Sequence, residues 1–71
     1  MADISFTITG NTEGVIVECS GPSSVPNQHA ASGTFYNLAE GSYKITATPG
    51  TGPGNWTRVY VPPDANVTIA L

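Results

Sequence analysis

The chain has 71 residues, of which only 10% are charged, with two bases against five acids for a net charge of −3. That balance excludes a basic footprint for nucleic acid or an anionic membrane, since both require clustered lysine and arginine. One cysteine and one histidine exclude an internal disulfide and leave too few ligands for a structural zinc, so no metal or cofactor is expected.

Such a length holds a single domain, 1–71, which buries roughly 60% of the surface its unfolded chain exposes. Stability must then come from an economical β core or from assembly with other chains. The start, Met1-Ala2-Asp3-Ile4-Ser5, has neither the basic segment nor the apolar run of a signal peptide. The expectation is a complete gene product made in the cytosol.

Taken in order, Ile4, Phe6 and Ile8 alternate with Ser5, Thr7 and Thr9, the period-two pattern of a half-buried strand. Gly10-Asn11-Thr12-Glu13-Gly14 reads as a turn. Val15 to Ser20 reads as a second strand, with Val15, Val17 and Cys19 on one face, and the two runs together predict a hairpin. Gly21 to Ser32 has no period and carries Pro22 and Pro26, which predicts a long surface loop. Thr34 to Leu38 and Ser42 to Thr48 are the third and fourth strands. Residues 49–55 form a Gly- and Pro-rich loop, and Trp56 to Val61 is the fifth strand. Pro62-Pro63 ends it, because proline cannot donate to a ladder. Val67 to Leu71 closes the chain with Val67, Ile69 and Leu71 inward. No window carries helical spacing. Six short strands separated by turns predict an all-β, antiparallel sandwich with core pairs Phe6/Ile8, Phe35/Leu38, Tyr43/Ile45 and Val67/Ile69.

Within that pattern, Gly33-Thr34-Phe35 leads into Leu38-Ala39-Glu40-Gly41-Ser42-Tyr43 and an alternating strand, and Val67-Thr68-Ile69-Ala70-Leu71 follows at the end. These segments, over 32–50 and 59–71, resemble carboxypeptidase regulatory-like domains. In that family Gly-x-Phe precedes a Leu-x-x-Gly-x-Tyr corner. The resemblance implies an immunoglobulin/prealbumin-like (transthyretin-like) sandwich in which Leu38 plugs the core, Gly41 permits the bend and Tyr43 covers the next core position. The family's Asp-rich turn is replaced here by His29-Ala30-Ala31-Ser32, so no calcium site is implied. Members serve as modules of peptidases, adhesins, sugar-binding proteins and virion proteins, so the resemblance implies a fold and not an activity.

Catalysis finds no support. Acid–base work needs paired carboxylates or a partnered histidine, whereas Asp3, Glu13, Glu18, Glu40 and Asp64 fall on separate turns and strands. His29, alone in its loop, reads as solvated, with a binding contact as its functional alternative. Cys19 shares a face with valines and reads as a buried hydrophobe. The Gly50–Asn55 loop runs into a strand, so it lacks the helix that a phosphate cradle requires. Asn55-Trp56-Thr57 and Asn66-Val67-Thr68 match the glycosylation sequon, which matters only in a protein secreted by a eukaryotic cell.

Trp56, Arg58 and Tyr60 share one face of the fifth strand, opposite Thr57, Val59 and Val61. Periodicity alone leaves open which face is outward. If the valines are core, Trp56, Arg58 and Tyr60 form an exposed stripe of residue types that dominate binding hot spots. The expectation is therefore a non-enzymatic interaction module: an accessory or decoration subunit docking on a protein assembly such as a phage capsid or tail, displayed on a virion surface. The alternative is a carbohydrate-binding module that uses the aromatic face. With two bases in the whole chain, binding is expected to change little with salt. Ile4–Thr9 and Val67–Leu71 are the candidate edges for strand addition.

Overall fold

The computed structural model describes residues 1–71 and contains six strands and no helix. They are β1 (Ala2–Thr9), β2 (Ile16–Ser20), β3 (Ser32–Leu38), β4 (Gly41–Thr48), β5 (Asn55–Val61) and β6 (Ala65–Ala70). Two three-stranded sheets, β3-β1-β6 and β2-β4-β5, face each other as a small sandwich. Each strand sends its alternate apolar residues into one shared core of 14 buried side chains. The largest fully buried among them are Tyr43, Phe6, Ile4 and Leu38. Phe6 and Phe35 meet across the β1–β3 pair with ring centroids 5.3 Å apart, a favourable spacing for tilted rings.

Two expectations about β1 fail for one reason. β1 and β2 lie in different sheets, so the turn at 10–14 is an arch between layers and not a hairpin. Gly10 (φ 86°) and Gly14 (φ 70°) supply the left-handed corners, and Val15 N–H closes the turn on Thr12 O at 3.2 Å. β1 then sits in the centre of its sheet, antiparallel to β3 and parallel to β6, which leaves Ile4–Thr9 no free edge. Period-two patterning says which side of a strand is buried but not which strand it pairs with. The parallel β1–β6 pair also departs from an all-antiparallel sandwich. β6 does lie at a sheet edge, where Ile69 is buried while Val67 and Leu71 are only partly so.

Phe35 and Leu38 are both buried although an odd spacing should put them on opposite faces. A β-bulge in β3 resolves this. Ala2 pairs with Leu38 but Ile4 pairs with Phe35, so β3 carries one extra residue. Asn37 takes it up in the left-handed region at φ 58°, which asparagine tolerates better than most. Its N–H donates to Asp3 Oδ1 at 3.0 Å.

The turn from β3 to β4, where the sequence places a corner, carries the chain from one sheet to the other. Gly41 has φ 151°, and a Cβ there would lie 2.5 Å from Pro22 Cγ. Tyr43 anchors the turn: its hydroxyl donates to Ala39 O at 2.6 Å and accepts from Ser23 N–H at 3.1 Å. Ser23 Oγ in turn accepts from Ala39 N–H at 2.8 Å. Tyrosines that bond back to the backbone a few residues upstream brace other β-sandwiches in the same way. Tyr43→Phe leaves the ring packing intact and strands one acceptor and one donor, which should cost about 1–3 kcal/mol. Chemical denaturation checks this, and an unchanged midpoint would show that water replaces both bonds.

The 21–31 loop lies over the edges of both sheets. Val17 and Gln28 exchange backbone hydrogen bonds of 2.7 and 2.9 Å, and Gln28 Nε2 donates to Thr34 O at 2.7 Å. Gln28 thus covers the outer edge of β2 and ties it to β3, leaving β5 and β6 to approach at the opposite seam, where Asn55 Nδ2 donates to Ala70 O at 3.1 Å.

Candidate functional site

The face of β5 left open by the sequence is settled. Val61 is fully buried and Val59 partly so, whereas Trp56 and Tyr60 are 51% and 58% exposed. Trp56, Arg58 and Tyr60 therefore form an outward stripe. The β4–β5 register extends it sideways, with Thr46 opposite Trp56, Lys44 opposite Arg58 and Ser42 opposite Tyr60. Across β4, β2 contributes Glu18 opposite Thr46 and Ser20 opposite Lys44, with Ile16 further along. The outer face of this sheet thus mixes Ser and Thr side chains with Glu18, Lys44 and Arg58, with the aromatics along the β5 border and Ile16 on β2.

Three members of that face were not singled out in the sequence. Lys44 Nζ lies 4.5 Å from the centroid of the Trp56 ring and Arg58 Cζ 5.6 Å from it, within range of a cation–π attraction. Glu40 Oε2 accepts from the Tyr60 hydroxyl at 3.2 Å. That hydrogen bond, together with the repulsion of a phenolate by the carboxylate, holds the Tyr60 hydroxyl above its usual range. Ile16, exposed at the β2 end of the sheet, is the third. The length of the loop before β5 does not reveal the Lys44 neighbour: Asn55 pairs with Ala47 and not with Thr48, so Lys44 falls opposite Arg58 only in the register of the folded sheet.

His29 does not join the stripe. It is exposed and follows Gln28, which pairs with β2, so it lies at the far edge of the sheet from β5. There it helps line an open depression with Thr12, Ile16 and Ala31. No cavity is lined by Trp56, Arg58 or Tyr60, so nothing at the stripe is shaped to enclose a small molecule. Asp3 and Asp64 are close, with Asp3 N–H donating to Asp64 Oδ1 at 2.9 Å, but each carboxylate caps backbone. No group of three or more His, Cys, Asp or Glu side chains is placed to hold a metal.

Cys19 faces the core with Val17, as its alternation predicts. Burial pushes its thiol pKa from 9.0 up to about 11, because desolvation disfavours the thiolate. Thiol reagents attack the thiolate, so native protein at neutral pH should react slowly and unfolded protein fast. The stability contributed by keeping this thiol neutral is complete below pH 9.0 and is lost as pH rises through about 11. Labelling rates across that window check both statements; rapid labelling of native protein near neutral pH would contradict the burial. Compared with family models, curated proteins and solved structures, the chain matches none of them.

Proposed function

We propose that this protein is a non-catalytic docking module, a small accessory or decoration subunit that attaches to a protein assembly such as a phage capsid or tail through the outer face of β4 and β5. The observation that carries this reading is the stripe: Trp56 and Tyr60 half-exposed on either side of Arg58, none of the three lining a cavity. Flat surfaces with aromatic and arginine anchors suit protein contacts, whereas small ligands are held in concave sites. The resemblance of 32–50 and 59–71 to carboxypeptidase regulatory-like domains agrees with an appended module. Display on a virion surface after cytosolic synthesis belongs to the same proposal.

A carbohydrate-binding module is the second reading, favoured by the exposed Tyr60 ring on a surface poor in charge. The Trp56 ring supports it less, because Lys44 and Arg58 already lie against it. A coding sequence set among capsid or tail genes supports the docking reading, as does binding of the purified protein to the corresponding particles. Trp56-dependent signals on a glycan array with no particle binding would replace it by the second.

A further inference from the structure

Lys44 and Arg58 are the chain's two basic side chains, and the strand register sets them directly opposite each other on the exposed face. Like charges in that arrangement repel. No carboxylate comes within 4.0 Å of either. The Trp56 ring attracts both cations, but a ring quadrupole does not neutralise a charge. Of the nearby acids, Glu40 accepts from Tyr60, and Glu18, opposite Thr46, is only a diagonal neighbour of Lys44 on the far side from Arg58. A protein of net charge −3 has therefore gathered both its lysine and its arginine at one spot, flanked by the exposed aromatics Trp56 and Tyr60.

We propose that this spot receives a carboxylate-bearing segment of a protein partner, with an Asp or Glu side chain seated between Lys44 and Arg58 and its apolar neighbours packed against Trp56 and Tyr60. The Arg58 guanidinium offers a planar fork that matches a carboxylate, and Lys44 adds a point charge beside it. The inference rests on the docking reading and specifies the partner's chemistry. It also revises the expectation of salt-insensitive binding: two bases spread over a surface steer little, but two side by side at a contact do.

A random peptide library selected on the immobilised full chain, with each recovered peptide assayed by fluorescence anisotropy, tests this without a known partner. The expected peptides carry Asp or Glu beside an aromatic or aliphatic residue. Arg58→Glu or Lys44→Glu should weaken them about tenfold or more. Raising salt from 0.15 to 1 M should weaken them too, as the screening length falls from about 8 to 3 Å. Arg58→Glu places a carboxylate opposite Lys44, so its Tm should hold or rise, which separates lost binding from lost folding. Peptides without acids that bind Arg58→Glu as well as wild type, yet fail on Trp56→Ala, would overturn the acidic partner and leave the docking reading standing. Peptides indifferent to positions 44, 56, 58 and 60 would overturn both. Binding of acidic glycans on an array, with no peptide recovered, would overturn a protein as the partner class.

Discussion

Leu38→Ala should destabilise the protein by about 2–5 kcal/mol, the cost of deleting a buried leucine and leaving a cavity behind. Three features place this substitution among the most damaging. Leu38 is fully buried. It follows the bulge at Asn37, so the backbone that delivers it to the core is already committed to an unusual conformation. It also precedes the turn braced by Tyr43 and Ser23, which limits how far the surroundings can close over the gap. A domain of this size has roughly 4–11 kcal/mol of stability in total, so the loss is a large fraction of it. Urea or thermal unfolding measures the effect. A change below about 1 kcal/mol, the centre of the distribution for point mutants, would show that the corner repacks freely and that the bracing is ineffective.

Trp56→Ala should do the reverse, leaving the fold almost untouched while removing most binding. Its side chain is half-exposed and is not part of the core, so the stability change should stay at about 1 kcal/mol, the scale of the exposed cation–π contacts to Lys44 and Arg58 that the substitution deletes. Affinity for the docking partner should fall by about 2 kcal/mol or more, roughly thirtyfold in Kd, if Trp56 is an interface anchor. Tyr60→Ala should act in the same direction. Isothermal titration or surface-plasmon measurements against the assembled partner, alongside melting curves of each variant, read both quantities. Unchanged affinity for both variants would move the contact elsewhere, to the depression beside His29 or to the edge of β6.

Strand positions were legible because alternation is written into Ile4-Phe6-Ile8, Val15-Val17-Cys19 and Tyr43-Ile45-Ala47, and all nine of those side chains are buried. The corner at 38–43 was legible because Leu, Gly and Tyr each do a job that few other residues can. Pairing was not. The arch at 10–14 and a tight hairpin look alike when both are bounded by glycines, and the parallel β1–β6 ladder joins residues separated by nearly the whole chain. The bulge left only an indirect trace, the odd spacing of Phe35 and Leu38. At the site, Trp56, Arg58 and Tyr60 were found as a set, but their orientation needed the opposite sheet to show that Val59 and Val61 point inward. Lys44 belonged to a different strand and became a neighbour only through the register.

The β1–β6 ladder has a consequence for how the protein is made. β1 is synthesised well before its parallel partner at Ala65–Ala70, so the central strand of one sheet keeps a bare edge until those residues have been added. Contacts so distant in sequence are slow to form because a long loop must close first, and an uncovered edge invites pairing with other nascent chains. A chain cut before Ala65 would therefore open the middle of the sheet, with inclusion bodies as the expected product.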